Sequence, residues 1–196
     1  IKTVSAAINI GSNATVTGAV TITVAGVISV GAASTVTGDL TTATGAINVG
    51  DGSTVSSATS TLAGAITIGA DATVKGNLTT GAGAITVGKK SHVNGSIKTV
   101  AGVVTIGACA TVLGGINNQA TSKAGAVTIG EDSIVVGTII TSAGAITVGT
   151  RSQVGGGILA EDGAITVGAG STVSGSVCTG NSGAITIGAE SRIMGN

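Results

Sequence analysis

One phrase recurs ten times along this chain, and it restricts the possible folds more than any other feature. At residues 83–95 it reads GAITVGKKSHVNG: a short strand closed by glycine, a polar turn, then Ser-x-Val-x-Gly. The closing glycine falls at Gly11, Gly31, Gly50, Gly69, Gly88, Gly107, Gly130, Gly149, Gly168 and Gly188. The steps between them are 20, 19, 19, 19, 19, 23, 19, 19 and 20 residues. A fixed period in this range means a solenoid, because one repeat is too small to bury its own apolar face and must stack on its neighbours. Residues 1–196 therefore read as a single repeat domain, although the length alone allows two globular ones.

The local pattern gives the class of solenoid. In Ala84-Ile85-Thr86-Val87, Ile85 and Val87 face one way and Ala84 and Thr86 the other, the alternation of a half-buried strand. The second segment offers one aliphatic per coil for the interior, from Val16, Val36 and Val55 through Val173 to Ile193, with a small residue two places earlier that fits a tight corner. The third adds Leu40, Leu78, Ile97, Ile116, Ile139, Ile158 and Val177. The expected fold is all-β: a single β-solenoid of about ten coils of 19 residues, with three short parallel strands per coil. Coils spaced at about 4.8 Å make a rod of roughly 48 Å. Glycine at two corners per coil is expected to supply positive φ or close approach. The long step between Gly107 and Gly130 predicts a loop insertion over 117–123. Ser57 and Thr59 replace a corner glycine and a core aliphatic, which marks the third coil as the weakest-packed. The first coil starts in mid-strand and neither end carries a cap, so the segment reads as processed or excised, or as one whose ends stack on neighbours.

Composition removes several function classes. The chain has no Phe, Trp, Tyr or Pro, and 8 basic residues balance 8 acidic ones. A basic footprint and an aromatic stacking platform are both missing, which argues against nucleic acid. No apolar run reaches the roughly 18 residues of a membrane helix. His92 is the only histidine, and it falls at an outward position shared with Thr54, Thr73 and Thr111. Glu131-Asp132 and Glu161-Asp162 are sequence neighbours on extended chain, so their side chains diverge and form no acid/base dyad. Cys109 and Cys178 stand in different columns of the repeat. No catalytic group, metal site or cofactor is expected, and the chain reads as non-enzymatic.

The outward columns carry the functional expectation. One runs Thr67, Thr86, Thr105, Thr128, Thr147, Thr166 and Thr186, beside a column of Ala with Val27 and Val103. This flat, uncharged Ala/Thr face suits either a dry contact between solenoids or ice. Outward positions of the second and third strands turn apolar in the later coils, at Leu113, Ile134, Val136, Ile140, Leu159 and Met194, which marks lateral contacts with other chains. With only 8% charged residues, such a surface favours association.

The phrases IGADATVKGNLTT (68–80) and IGEDSIVVGTII (129–140) resemble the repeat of bactofilins, the polymer-forming cytoskeletal proteins. The resemblance extends over nearly all ten coils. It implies a right-handed β-solenoid that polymerises end to end, without nucleotide, into nonpolar filaments. GAITVGAGSTVSG (163–175) is similar to the β-helical part of microbial ice-binding proteins. The leading expectation is a self-assembling structural subunit of a filament or surface layer, joined end to end and laterally. The alternatives are an ice-binding protein using the Ala/Thr face and a spacer stalk of a surface adhesin. The weakly charged, Thr-rich surface suggests an extracellular or cell-surface setting, whereas the bactofilin resemblance implies the cytoplasm.

Overall fold

A computed structural model describes residues 1–118 and 125–196 of the chain. Its thirty strands form three parallel sheets of ten strands each. The first sheet runs from Ile8–Ile10 to Ile185–Ile187, the second from Thr15–Val16 to Arg192–Ile193, and the third from Lys2–Thr3 to Val177–Ser182. Each strand pairs with its counterpart one coil away, as Ile66 with Ile85, Thr67 with Thr86 and Ile68 with Val87. The expected solenoid, with one turn per 19-residue repeat, is what the chain forms.

The register follows from burial. Shifting a strand by one residue would turn its apolar pair outward. Ile66, Ile68, Val74 and Leu78 of one coil are all buried, and the same positions are buried from coil to coil. Each such side chain contributes roughly 1.5–3 kcal/mol on burial, and aliphatic columns in register fill a core too thin for aromatics. The columns are least covered at the two ends. Val16, Val177 and Ile193, expected inside, are half-buried, and Ile185 and Ile187 are 43% and 40% exposed. At these rungs one side of each side chain lacks a packed neighbour among the described residues.

The interior also carries polar ladders that the alternation does not announce. The small corner residue is more than a space-saver. Ser34, Ser53, Ser91, Ser133, Ser152 and Ser171 are buried, and each hydroxyl donates to the strand-closing glycine carbonyl one coil back. Ser152 Oγ, for example, donates to Gly130 O at 3.0 Å and accepts from the Ser133 N–H at 3.2 Å. A second ladder occupies the third sheet, where Thr42, Thr61, Thr80 and Thr99 donate to Gly26, Gly45, Gly64 and Gly83 carbonyls at 2.9–3.2 Å. These bonds satisfy backbone groups at corners where no strand partner exists. In the third coil Thr59 sits in an aliphatic column, fully buried, and its hydroxyl has no hydrogen-bond partner among the described residues.

Two expectations need correction. The step length puts Asn117 and Asn118 in the insertion, but they belong to the strand Ile116–Asn118 and pair with Ile140 and Thr141. Asn118 Nδ2 continues the threonine ladder by donating to Gly102 O at 2.8 Å. The remainder of the predicted loop, 119–123, lies outside the described residues.

The second concerns the corner glycines, which serve close approach, since a Cβ on Gly31 or Gly50 would strike backbone of the preceding coil, but mostly do not supply the positive φ. At the corner between the first and second sheets, the left-handed residue is the second one after the closing glycine. Only Gly52 and Gly170 are glycine there; the other eight are Asn13, Ala33, Asp71, Lys90, Cys109, Asp132, Arg151 and Glu190, with φ of 53–60°. The stack imposes the geometry: Ala33 N–H donates to Asp51 O, Lys90 N–H to Ala108 O and Arg151 N–H to Ala169 O, at 2.8–2.9 Å. Asn and Asp tolerate this conformation, whereas Ala does so at a cost of about 1 kcal/mol. Ala33→Gly is therefore expected to stabilise the rod by about 0.5–1 kcal/mol, read as a higher urea midpoint. A lower midpoint would mean that the corner is not strained.

Candidate interaction surface

The fold gives the rod three outward faces and three corners. On the first sheet the outward column is Asn9, Ser29, Asn48 and then Thr67, Thr86, Thr105, Thr128, Thr147, Thr166 and Thr186, brought into one line by the strand pairing. All seven threonines are exposed except Thr105, which is half-buried. Ala65, Ala84, Ala145 and Ala164 form the exposed column beside them, with Val27 and Val103 at 38% and 40% exposure. No charged residue stands in either column. The expected Thr and Ala columns thus run side by side along one sheet.

The expected apolar contact residues do not form one surface. Leu113 and Val136 stand in adjacent coils of the column that borders the second sheet, each 49% exposed, and Ile134 projects from that sheet at 39%. Met194 lies in the same column at 57% exposure, but Gly155 and Ser174 separate it from Val136. Ile140 and Leu159 pair with each other on the third sheet, a different face, and are half-buried. One three-residue patch remains, Leu113–Ile134–Val136. Beside it lies a shallow hollow of about 160 Å³ bounded by Ile134, Val136, Gln153, Gly155, Thr172 and Ser174.

A scan against protein-family models, a search of curated proteins and a search of solved structures each return no match. What the surface can do must therefore be read from its own chemistry.

Charge gathers at the corner between the first and second sheets, where Asp51, Asp71, Lys89, Lys90, Glu131, Asp132, Arg151 and Glu190 all stand. Arg151 grips Asp132 through Nε and Nη2 at 2.8 and 2.7 Å and reaches Glu131 at 3.2 Å. Those hydrogen bonds hold the Asp132 carboxyl below the usual carboxylate range and raise the Arg151 guanidinium. His92 is exposed between Thr73 and Thr111, at its expected outward position. Cys109 and Cys178 are free thiols, both exposed, the first at the charged corner and the second on the third sheet. Among the described residues no group of three or more His, Cys, Asp or Glu converges on a point, and no helix is long and apolar enough to cross a membrane.

Sequence reasoning also missed a groove along the third sheet. Its floor is Thr41, Ser60 and Thr79, its rim Leu62 and Val100, and its volume about 330 Å³. Leu62 is 71% exposed and Val24, in the same corner series, 51%. The signal is present as large apolar residues at the corner after the third strand in four coils, Val4, Val24, Leu62 and Val100, which the alternation within strands does not register.

Proposed function

We propose that this chain is a non-enzymatic structural subunit, a rod that packs sideways against copies of itself. The observation that supports this reading is the Leu113–Ile134–Val136 patch. Leu113, Ile134 and Val136 are three large aliphatics exposed together in two neighbouring coils, at outward positions that hold mostly Thr, Ser, Asn or Gly in the other coils. Exposed apolar side chains gathered in one place mark a contact surface. The patch is small, so one contact is weak, and many contacts along an array give the assembly its strength. The weakly charged, hydroxyl-rich surface fits an extracellular or cell-surface layer.

The test is sedimentation velocity with negative-stain electron microscopy over a concentration series. Wild-type protein is expected to form bundles or sheets of rods. Leu113→Lys with Val136→Lys is expected to abolish the bundles and sheets with an unchanged β-sheet circular dichroism spectrum. Wild-type rods that stay single at every concentration would sink the proposal.

A second reading rests on a different observation, the first sheet's uncharged Ala/Thr face with its unbroken coil-to-coil register. Hydroxyls and methyls repeated at about 4.8 Å offer an ordered template for water, and the ligand would be ice. Replacing both Thr105 and Thr128 by Lys is then expected to abolish thermal hysteresis. Hysteresis that survives the double substitution rules this face out.

A further inference from the structure

We propose that the corner between the first and second sheets docks onto the same corner of a second copy of this chain, with the rods antiparallel and Cys109 on the two-fold axis. The corner has two turn positions per coil, and for two coils on either side of Cys109 its charges are antisymmetric about that residue. One coil before Cys109 the two positions hold Lys89 and Lys90; one coil after, they hold Glu131 and Asp132. Two coils before, the left-handed position holds Asp71; two coils after, it holds Arg151. Over these two coils on each side, reading outward in either direction gives the same pattern with every sign reversed; beyond them Asp51 falls opposite the uncharged Ala169 and Gly170.

The stack keeps these positions evenly spaced. Asp71 N–H donates to Lys89 O, Lys90 N–H to Ala108 O, Cys109 N–H to Glu131 O and Asp132 N–H to Thr150 O, all at 2.8–3.0 Å. The long step between Gly107 and Gly130 therefore leaves this corner in register. All seven side chains are exposed.

A two-fold axis through Cys109, in the contact plane and across the rods, exchanges earlier coils with later ones. It keeps each turn position opposite its own kind. Lys89 then faces Glu131 of the second copy, Lys90 faces Asp132, Asp71 faces Arg151, and the two Cys109 thiols meet. Parallel rods in register would instead set Lys89 and Lys90 against themselves, a like-charge arrangement that excludes that orientation. Within one chain Arg151 already neutralises part of the Glu131–Asp132 pair. That half retains surplus negative charge, and the Asp71–Lys89–Lys90 half retains surplus positive charge, so each half meets its opposite. The pattern completes itself only on another copy of this chain, and isologous contacts of this kind are the usual route to symmetric dimers. Exposed ion pairs are individually weak, so the contact fixes orientation and is sensitive to salt. It uses none of the Leu113–Val136 patch and does not depend on the lateral packing proposed above.

Cys109 reports on the contact. With oxidised glutathione, one Cys109 thiolate forms a mixed disulfide and releases one reduced glutathione. The Cys109 thiolate of a second copy then displaces the other, leaving an interchain disulfide. At low ionic strength the expected product is a dimer linked through Cys109, identified by peptide mass and unchanged in Cys178→Ser. Its formation is expected to slow about tenfold at about 1 M salt, where charges more than about 3 Å apart are screened. Lys89→Glu with Lys90→Glu should slow it equally, and adding Glu131→Lys with Asp132→Lys should restore the rate. Cross-linking indifferent to salt, or a four-fold swap that stays slow, would overturn the proposal. Leu113→Lys with Val136→Lys separates the two contacts, since it should abolish bundles and leave Cys109 cross-linking intact.

Discussion

Gly83→Ala is expected to destabilise the rod by about 3 kcal/mol or more, the size of a severe overpacking defect. A methyl on Gly83 would sit on the Gly64 carbonyl oxygen and 2.9 Å from the Ala65 nitrogen. These are backbone atoms of the preceding coil, held at strand-pairing distance by bonds on both sides of the corner, and they have no rotamer through which to retreat. The same Gly64 carbonyl accepts the Thr80 hydroxyl at 2.9 Å, so the methyl also breaks a rung of the threonine ladder. Gly11→Ala is the control: nothing lies within 4 Å of the added carbon, and its effect should stay within about 0.5 kcal/mol, as for ordinary surface changes. Urea unfolding followed by circular dichroism gives the size of the loss. Amide exchange gives its place, since a nearest-neighbour stack opens first at its weakest interface. An unchanged midpoint for Gly83→Ala would mean that the coils do not touch backbone to backbone at this corner.

Ser152→Ala is expected to cost about 1–3 kcal/mol, the range for a buried group left without its partner. The hydroxyl serves two backbone groups at once, the Gly130 carbonyl and the Ser133 N–H. Alanine fits the space, as Ala72 and Ala110 do in the same column, so the loss isolates the hydrogen bonds from packing. The reverse change follows from the same geometry. Ala110→Ser places a hydroxyl where the ladder directs it, between the Gly88 carbonyl and the Ser91 N–H, and should raise stability by about 1 kcal/mol. Opposite signs for the two substitutions would establish the ladder as a source of stability. A loss from Ala110→Ser would show that its rung is too tight for the extra atom.

The sequence by itself determined the period, the number of coils, the three strands per coil and most core columns. Backbone pairing in a parallel stack joins residues one coil apart, so any position that must be buried repeats at that interval and shows in the spelling. Ile85, Val93 and Ile97 were legible in this way, as was the outward threonine column. The tertiary structure alone decided the rest. Ser152 and Thr80 look like ordinary small polar residues until the coil behind them supplies a carbonyl. Ala33 and Lys90 carry no mark of a left-handed turn, because inter-coil hydrogen bonds impose it against local preference. Asn117 and Asn118 look like loop residues until Ile140 and Thr141 pair with them. Leu113 and Ile140 read alike along the chain, yet the corner between their strands sets them on different faces. Periodicity encodes which residues stack; it does not encode the angles at which the corners turn, and those angles decide which side chains meet.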